Sequence, residues 1–432
     1  MEIAGKISNV YCLDMLTDIA FFRCRQNPSG PEIPESEIAG RVHDEFHGIS
    51  SQLKPGMRIG VAVGSRGIAG LSSIVKAVIV QLHSIGCQPF IFPAMGSHGG
   101  ATAAGQTEVL KSYGITEVHC GCPIQSSMEV VTLSDTGLPF PVYMDRFAWE
   151  SDGVILINRV KPHTDFRGEF ESGLMKMAVI GLGKEAQATE IHRYGVHGLK
   201  DLMPQAAHVV LASGKIIAGL GIVENALDTT AEIRVAAARA IPDMERELLA
   251  LARTLFPKLP TDRLDLLVLD RIGKDISGTG MDTNVVGRIR IPGEPEPESP
   301  NIRHIHISDL SDASHGNATG LGLADTITRK LFDKMDHNVT RTNIFTSGFL
   351  ERGKIPFIAD DDRHALNVSL RTMNIHNPSK LRAIRVRDTL HLYDFLATRP
   401  VLDELGIRPD SMEPILISEC FDDSGHFNPV FG

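Results

Sequence analysis

A strand, a glycine-rich turn and a helix, in that order and then again, is the pattern that most limits how this chain folds. MRIGVAV at 57–63 is a short, apolar, β-rich run, broken by Gly64-Ser65-Arg66-Gly67. Ile74, Val75, Val78, Ile79 and Leu82 then recur at helical spacing until Gly86. QPFIFPA at 88–94 reads as the next strand, followed by the turn Met95-Gly96-Ser97-His98-Gly99-Gly100 and a helix over about 103–113. Apolar runs alternating with helices belong to parallel sheets covered on both faces. The pattern returns at GVILINRV (153–160) and KIIAGLGIV (215–223), with helix-rich sequence over about 231–256.

At 432 residues the chain exceeds what one hydrophobic core supports. FPKLPTDR at 256–263 is the best boundary, and LDLLVLD at 264–270 opens a second run of strands. The expectation is two Rossmann-like α/β domains with mostly parallel sheets and the active site in the cleft between them. Residues 1–260 form the N-terminal domain and 261–432 the C-terminal domain. In the latter, HIHISDL at 304–310 is a strand, GEPEPESP at 293–300 a solvated loop, and a helix spans about 321–335.

A net charge of −10 argues against nucleic acid or an anionic membrane as partner, since both need a basic surface. A small anionic substrate needs only a few local cations. The N-terminal MEIAGKISNV has neither a basic region nor an apolar core, and no apolar stretch reaches the length of a membrane helix. Six cysteines in so long a chain do not make a disulfide framework. Cys120 and Cys122 beside His119 lack the second ligand pair of a metal site and read as reduced thiols. The chain reads as cytoplasmic.

Ligands in open α/β sheets bind beyond the carboxyl ends of the strands, and three unusual turns fall there. Gly64, Ser65 and Arg66 precede a helix, where backbone N–H groups and a guanidinium suit an anion. The residues after Gly96 and after Pro162 present His98 and His163 at neighbouring strand ends. Either imidazole can serve as a general base near neutral pH. Lys176 sits within Leu174-Met175-Lys176-Met177-Ala178-Val179, either with its stem along an apolar surface or as a desolvated amine. His192 follows in Ala188-Thr189-Glu190-Ile191-His192.

In order, Gly96–Gly100 (GSHGG), Val160–His163 (VKPH), Ser172–Lys176 (SGLMK) and Glu190–His192 (EIH) resemble the lactate racemase family. The similarity is clearest over about residues 57–195. It implies a nickel-pincer nucleotide cofactor tethered covalently to Lys176, with His192 as the protein ligand to nickel. It implies His98 and His163 as acid/base histidines on opposite faces of the substrate carbon. Arg66, with Gly64 and Ser65, would help hold cofactor or substrate anions, and Lys274 in the second domain is a match for a binding lysine. The implied activity is inversion of C2 of a 2-hydroxy acid by hydride transfer, with cofactor-maturation proteins as partners.

The chain departs from the family in two places. Val63-Gly64-Ser65-Arg66 lacks the family's aspartate, and the segment between His163 and Lys176 is longer and polar. It is therefore expected to be a divergent branch. The charges of Asp165–Glu171 point to a substrate more polar than lactate, such as a sugar acid of the gluconate kind, unless they face solvent. The alternatives are a nicotinamide-dependent 2-hydroxy acid dehydrogenase, whose Gly-x-Gly-x-x-Gly the GSRGIAG at 64–70 does not match, and a non-catalytic nickel- or nucleotide-binding protein.

Overall fold

The structure is a computed structural model that describes Leu16 and residues 19–26, 30–64, 67–133, 137–409 and 412–431. Two compact units compose it: Pro28–Phe256, and Pro257–Gly432 together with the N-terminal segment up to Asn27.

The first unit is built on a five-stranded sheet in the order Gln88–Pro93, Arg58–Val63, Gly153–Arg159, Ile216–Glu224, Thr230–Ala237. The first four strands are parallel and the last is antiparallel. Side chains alternate between two cores. Ala62, Phe90, Phe92, Val154 and Leu156 enter one; Val61, Val63, Ile91, Ile155 and Ile157 enter the other. Glu35–Phe46 and Leu71–Ser84 cover the second face with Ile38, Val42, Ile74, Val75 and Val78. Met203–Ala212 and Ile241–Leu255 cover the first with Met203, Val210, Leu248 and Leu249. Burial on both faces is why these strands read as unbroken apolar runs, each large side chain contributing roughly 1.5–3 kcal/mol.

The helix-rich reading of 231–256 is corrected over its first third. Thr230–Ala237 is a strand, and the helix begins at Ile241. The alanines favour a helix locally, but Asn225 turns the chain back: its Oδ1 accepts the N–H groups of Leu227 (2.9 Å) and Thr229 (3.2 Å). That places Thr230–Ala237 in register with Ile216–Glu224, and sheet pairing overrides propensity.

The second unit holds an eight-stranded sheet. Phe357–Ala359, Thr326–Thr328, Asn301–Leu310, Arg263–Ile272 and Ala383–Asp388 are parallel neighbours, and His391–Thr398, Ala20–Arg25 and Ile415–Leu416 continue it with antiparallel pairing. The boundary drawn from the sequence near 260 put residues 1–27 with the N-terminal domain. The pairing of Ala20–Arg25 with His391–Thr398 places that strand in the other unit. The single helix expected over 321–335 is also corrected. A turn at Leu321–Leu323 leads to the buried strand Thr326–Thr328, and the helix is Arg329–Lys334, capped by the Thr328 hydroxyl on the Leu331 N–H (3.0 Å). β-branched residues beside a waiting sheet edge favour the strand. The 293–300 loop lies at the surface, tethered where the Glu296 carboxylate accepts the N–H groups of Ile289 (2.6 Å) and Arg290 (2.8 Å).

Gly280 and Gly320 interlock in this unit. Their φ angles are +77° and +95°, and a Cβ would lie 2.0 Å from Thr319 O or 1.8 Å from Thr279 O respectively. Backbone on both sides leaves nothing to yield. Gly320→Ala is expected to lower the unfolding free energy by more than about 2 kcal/mol, read as a shift of the urea midpoint. A midpoint within error of the parent would contradict this packing.

Candidate active site

Because four strands of the first unit run parallel, their carboxyl ends share one sheet edge. The turns after Gln88–Pro93 and Gly153–Arg159 therefore deliver His98 and His163 to the same edge, separated by the end of Arg58–Val63. At about 4.8 Å per strand spacing, those two strand ends are roughly 10 Å apart. Gly64 has a structural reason to be glycine. A Cβ there would meet Asn158 Oδ1 at 2.9 Å, and the Asn158 amide uses that space to donate to Gly173 O (2.9 Å). The end of one strand is thus pinned to the start of the helical segment that carries Lys176.

His163 is held on every side. Its own N–H donates to the Glu171 carboxylate (2.6 Å), and its carbonyl accepts from Arg167 Nη1 (2.7 Å). Its ring lies 4.6 Å from that of Phe166, centroid to centroid. Glu171 is wholly buried and also takes the Gly168 N–H (3.2 Å) and Arg253 (2.7 Å). Glu169 pairs with Arg246 at the surface (2.6 Å). Arg167, Glu169 and Glu171 are thus engaged with their own loop or with the helix Ile241–Leu255. The polar stretch that the sequence offered as a sign of a polar substrate is largely the scaffold of His163.

Both ring nitrogens of His163 are engaged. The Asp165 amide donates to Nδ1 (3.0 Å), so Nδ1 carries no proton. The other ring nitrogen, Nε2, lies within hydrogen-bond distance of Lys176 Nζ (2.8 Å).

Lys176 stands in Leu174–Lys176, which continues through a π-helical turn, Met177–Gly181, to the helix Lys184–His192. Such turns re-aim side chains within a helix and recur at functional sites. His192, at the far end, is reached by solvent yet crowded by protein. Desolvation pushes its imidazole below the ordinary value, the Lys176 charge (when present) pushes the same way, and Asp165 opposes both. His192 is therefore neutral at pH 7, the form that ligates metals.

The turn bearing His98 is anchored from behind. Gln106, fully buried, donates to Gly96 O (2.8 Å) and His98 O (3.2 Å). Lys184, also fully buried, reaches Pro93 O (2.5 Å), Gln106 Oε1 (3.4 Å) and Asp145 (2.9 Å). His98 itself is exposed.

The other residues singled out in the sequence lie elsewhere. Ser65 and Arg66 fall outside the described residues. Lys274 belongs to the second unit, where its Nζ bonds to Gly278 O and to Asn343 Oδ1 (3.1 Å). Cys120 and Cys122 are buried in a core, and desolvation pushes the Cys122 thiol up to about 12. Among the described residues the group of close ligand atoms is His43, Asp44 and His47, exposed on the first helix and apart from His192 in the sequence.

Glu245 is the residue that sequence reasoning missed. It comes from a distant helix, is completely buried, and accepts the Met175 N–H (2.8 Å) at the start of the Lys176 segment. A Cβ on Gly173 would lie 2.4 Å from Glu245 Oε1, so glycine makes the room. Desolvation pushes its carboxyl up to about 7 from an ordinary 4.5, against the opposing N–H groups of Met175 and Leu174. The folded state thus holds a proton that the unfolded state releases between about pH 4.5 and 7, and this contribution to stability falls as pH rises through that window. Glu245→Gln is expected to gain stability over the parent between pH 5 and 8, on the order of 3 kcal/mol. A difference independent of pH in denaturant titrations would refute the assignment.

A scan against protein-family models finds no match, and a search of curated proteins finds none. Solved structures do resemble the chain. The lactate racemase apoprotein from Thermoanaerobacterium thermosaccharolyticum superposes with a TM-score of 0.53 at 10% identity, over 86% of this chain and 99% of that one. A Thermotoga maritima protein of known crystal structure gives a TM-score of 0.46 at 15% identity, over 65% of this chain and 71% of that one. Among the described residues no helix is long and apolar enough to cross a membrane. The chain has a lactate-racemase-like α/β fold.

Proposed function

We propose that this protein is a racemase or epimerase that inverts C2 of a small 2-hydroxy acid. The observation that carries the reading is the His163–Lys176 contact with Nδ1 of His163 already occupied, at a sheet edge that also receives His98. Inversion by way of a planar 2-keto acid needs one base for each face of the carbon, and two histidines delivered to one sheet edge, from strand ends that flank Arg58–Val63, would meet that need. Nε2 is the nitrogen of His163 that exchanges a proton with the substrate hydroxyl, because the Asp165 amide fixes Nδ1 as an acceptor. Glu171 and Arg167 keep the ring in place through its backbone. Positioned bases of this kind are worth about 10²–10⁴ in rate.

The residues present fit a nickel-pincer nucleotide. Lys176 supplies an amine for a covalent tether, 2.8 Å from His163 Nε2, and burial pushes the His192 imidazole toward the neutral form that ligates nickel. Bound there, the group supplies a hydride acceptor. The chain's part is to hold it through Lys176 and His192, to move the hydroxyl proton at His98 and His163, and to orient the substrate. The sugar-acid preference rested on Asp165–Glu171. With most of those charges tied into the His163 scaffold, lactate, malate and aldonic acids are equal candidates for assay.

Two measurements test the reading in protein produced together with the cofactor-building enzymes. His98→Ala and His163→Ala are each expected to slow racemisation of the accepted acid by at least about 10², followed by chiral chromatography. Near-parent activity in either variant rules out the two-base scheme. Intact-mass spectrometry is expected to show an addition that maps to the Lys176 peptide and persists in His192→Ala while nickel is lost. An unmodified mass under conditions that load a known lactate racemase would leave the fold without this activity.

A further inference from the structure

The second unit has a pocket of its own at the carboxyl edge of its parallel strands. It encloses about 340 Å³ beside the ends of Arg263–Ile272, Asn301–Leu310 and Ala383–Asp388, and the C-terminal stretch from His426 to Phe431 forms one wall. Edges of this kind are where open α/β sheets bind ligands.

Arg385 lies at its base. The side chain is 1% exposed, far below what a guanidinium normally tolerates. Two of its three nitrogens are accounted for. Nε and Nη2 grip Asp270 (2.6 and 3.0 Å), and Nη2 also reaches Asn428 O (2.9 Å). The guanidinium carbon stands 4.1 Å over the Phe427 ring. Nη1 is buried and has no hydrogen-bond partner among the described residues.

The acids nearby do not supply one, because they are already engaged. Asp270 is committed to the other edge of Arg385. Asp362, 2% exposed, takes His306 Nε2 (2.7 Å), the Phe427 N–H (2.9 Å) and His426 Nδ1 (3.3 Å). At the rim, Arg387 and Lys330 line the pocket together with Lys334, which binds Asp312 (2.7 Å) and Asp309 (3.4 Å). A buried donor without an acceptor costs about 1–3 kcal/mol, more when charged, so an acceptor oxygen from a ligand is the arrangement that relieves it.

We propose that this pocket binds a small oxyanion, a carboxylate or a phosphate, with one oxygen on Arg385 Nη1 and the charge balanced by Arg387 and Lys334. Guanidinium and oxyanion match in geometry and charge, and Arg385 lines the pocket together with Phe427 and Phe431, whose rings lie 4.1 and 5.8 Å from its guanidinium carbon. The site is separate from His98, His163 and Lys176 in the chain and does not depend on the racemase reading.

Calorimetric titration of the purified full-length protein with sodium phosphate and, separately, sodium acetate at constant ionic strength tests this. Saturable binding of one or both is expected; which anion binds identifies the source. Arg385→Lys and Arg387→Gln should each weaken it about tenfold, the loss of one charge-assisted hydrogen bond. Lys176→Ala should leave it unchanged. Circular dichroism checks the Arg385 variant, and Arg387→Gln carries the test should that variant fail to fold. Absence of saturable binding overturns the proposal. Equal binding in parent and both variants means an adventitious ion only, and loss in Lys176→Ala alone means the anion goes to the other site.

Discussion

Parallel strands buried on both faces must end together. That constraint fixes where the first unit can carry polar groups: a strand that can place only apolar side chains along its length has polar functions left solely at its ends. Val61, Ile155 and Ile157 face one core, Ala62, Val154 and Leu156 the other, and neither face has room for a histidine. His98 and His163 appear one turn beyond, where the backbone is released from pairing but still anchored to a strand. Packing of helical segments against one face of the sheet then brings Glu245 to the start of the segment that carries Lys176.

The edge is stiffened by buried charge. Lys184, Glu171 and Glu245 are each wholly buried, and each has its charge or lone pairs directed at backbone: Pro93 O, the His163 and Gly168 N–H groups, and the Met175 N–H. Buried ions stabilise little by themselves, because desolvation offsets attraction, but removing one partner leaves the other stranded at a cost of about 3–5 kcal/mol. Such groups make poor general glue and good clamps. They specify one arrangement of the loops that carry His98 and His163 and penalise the rest.

Much of this was legible in the sequence. Strand positions at 58–63, 88–93, 153–159, 216–224, 263–272 and 301–310 follow from apolar runs and glycine turns, and the edge residues follow from strand ends. What sequence hid was tertiary. Thr230–Ala237 is rich in alanine and looks helical until the Asn225 turn folds it onto a neighbour. Ala20–Arg25 gives no local sign that its partner lies some 370 positions later. Glu245 sits in an amphipathic helix where a glutamate is ordinarily solvated; only the packing of that helix against Gly173 reveals it as a buried cap. Gly173 was the available signal, since a glycine before an apolar helical run marks a close approach.

The same constraint reads differently in the second unit. Its strands too are parallel and doubly buried around Arg263–Ile272, yet Arg385 lies inside Ala383–Asp388 rather than beyond it. A guanidinium within a central strand is tolerable only if its donors are met, and Asp270, one strand over, meets two of its nitrogens. Had the pair evolved for stability alone, apolar residues of similar volume would serve as well or better. A buried ion pair with one donor left over toward a pocket is an arrangement whose cost is explained by what the pocket receives. Each sheet therefore directs its polar chemistry to its carboxyl edge. In the first unit turns deliver it; in the second a charge within the strand does.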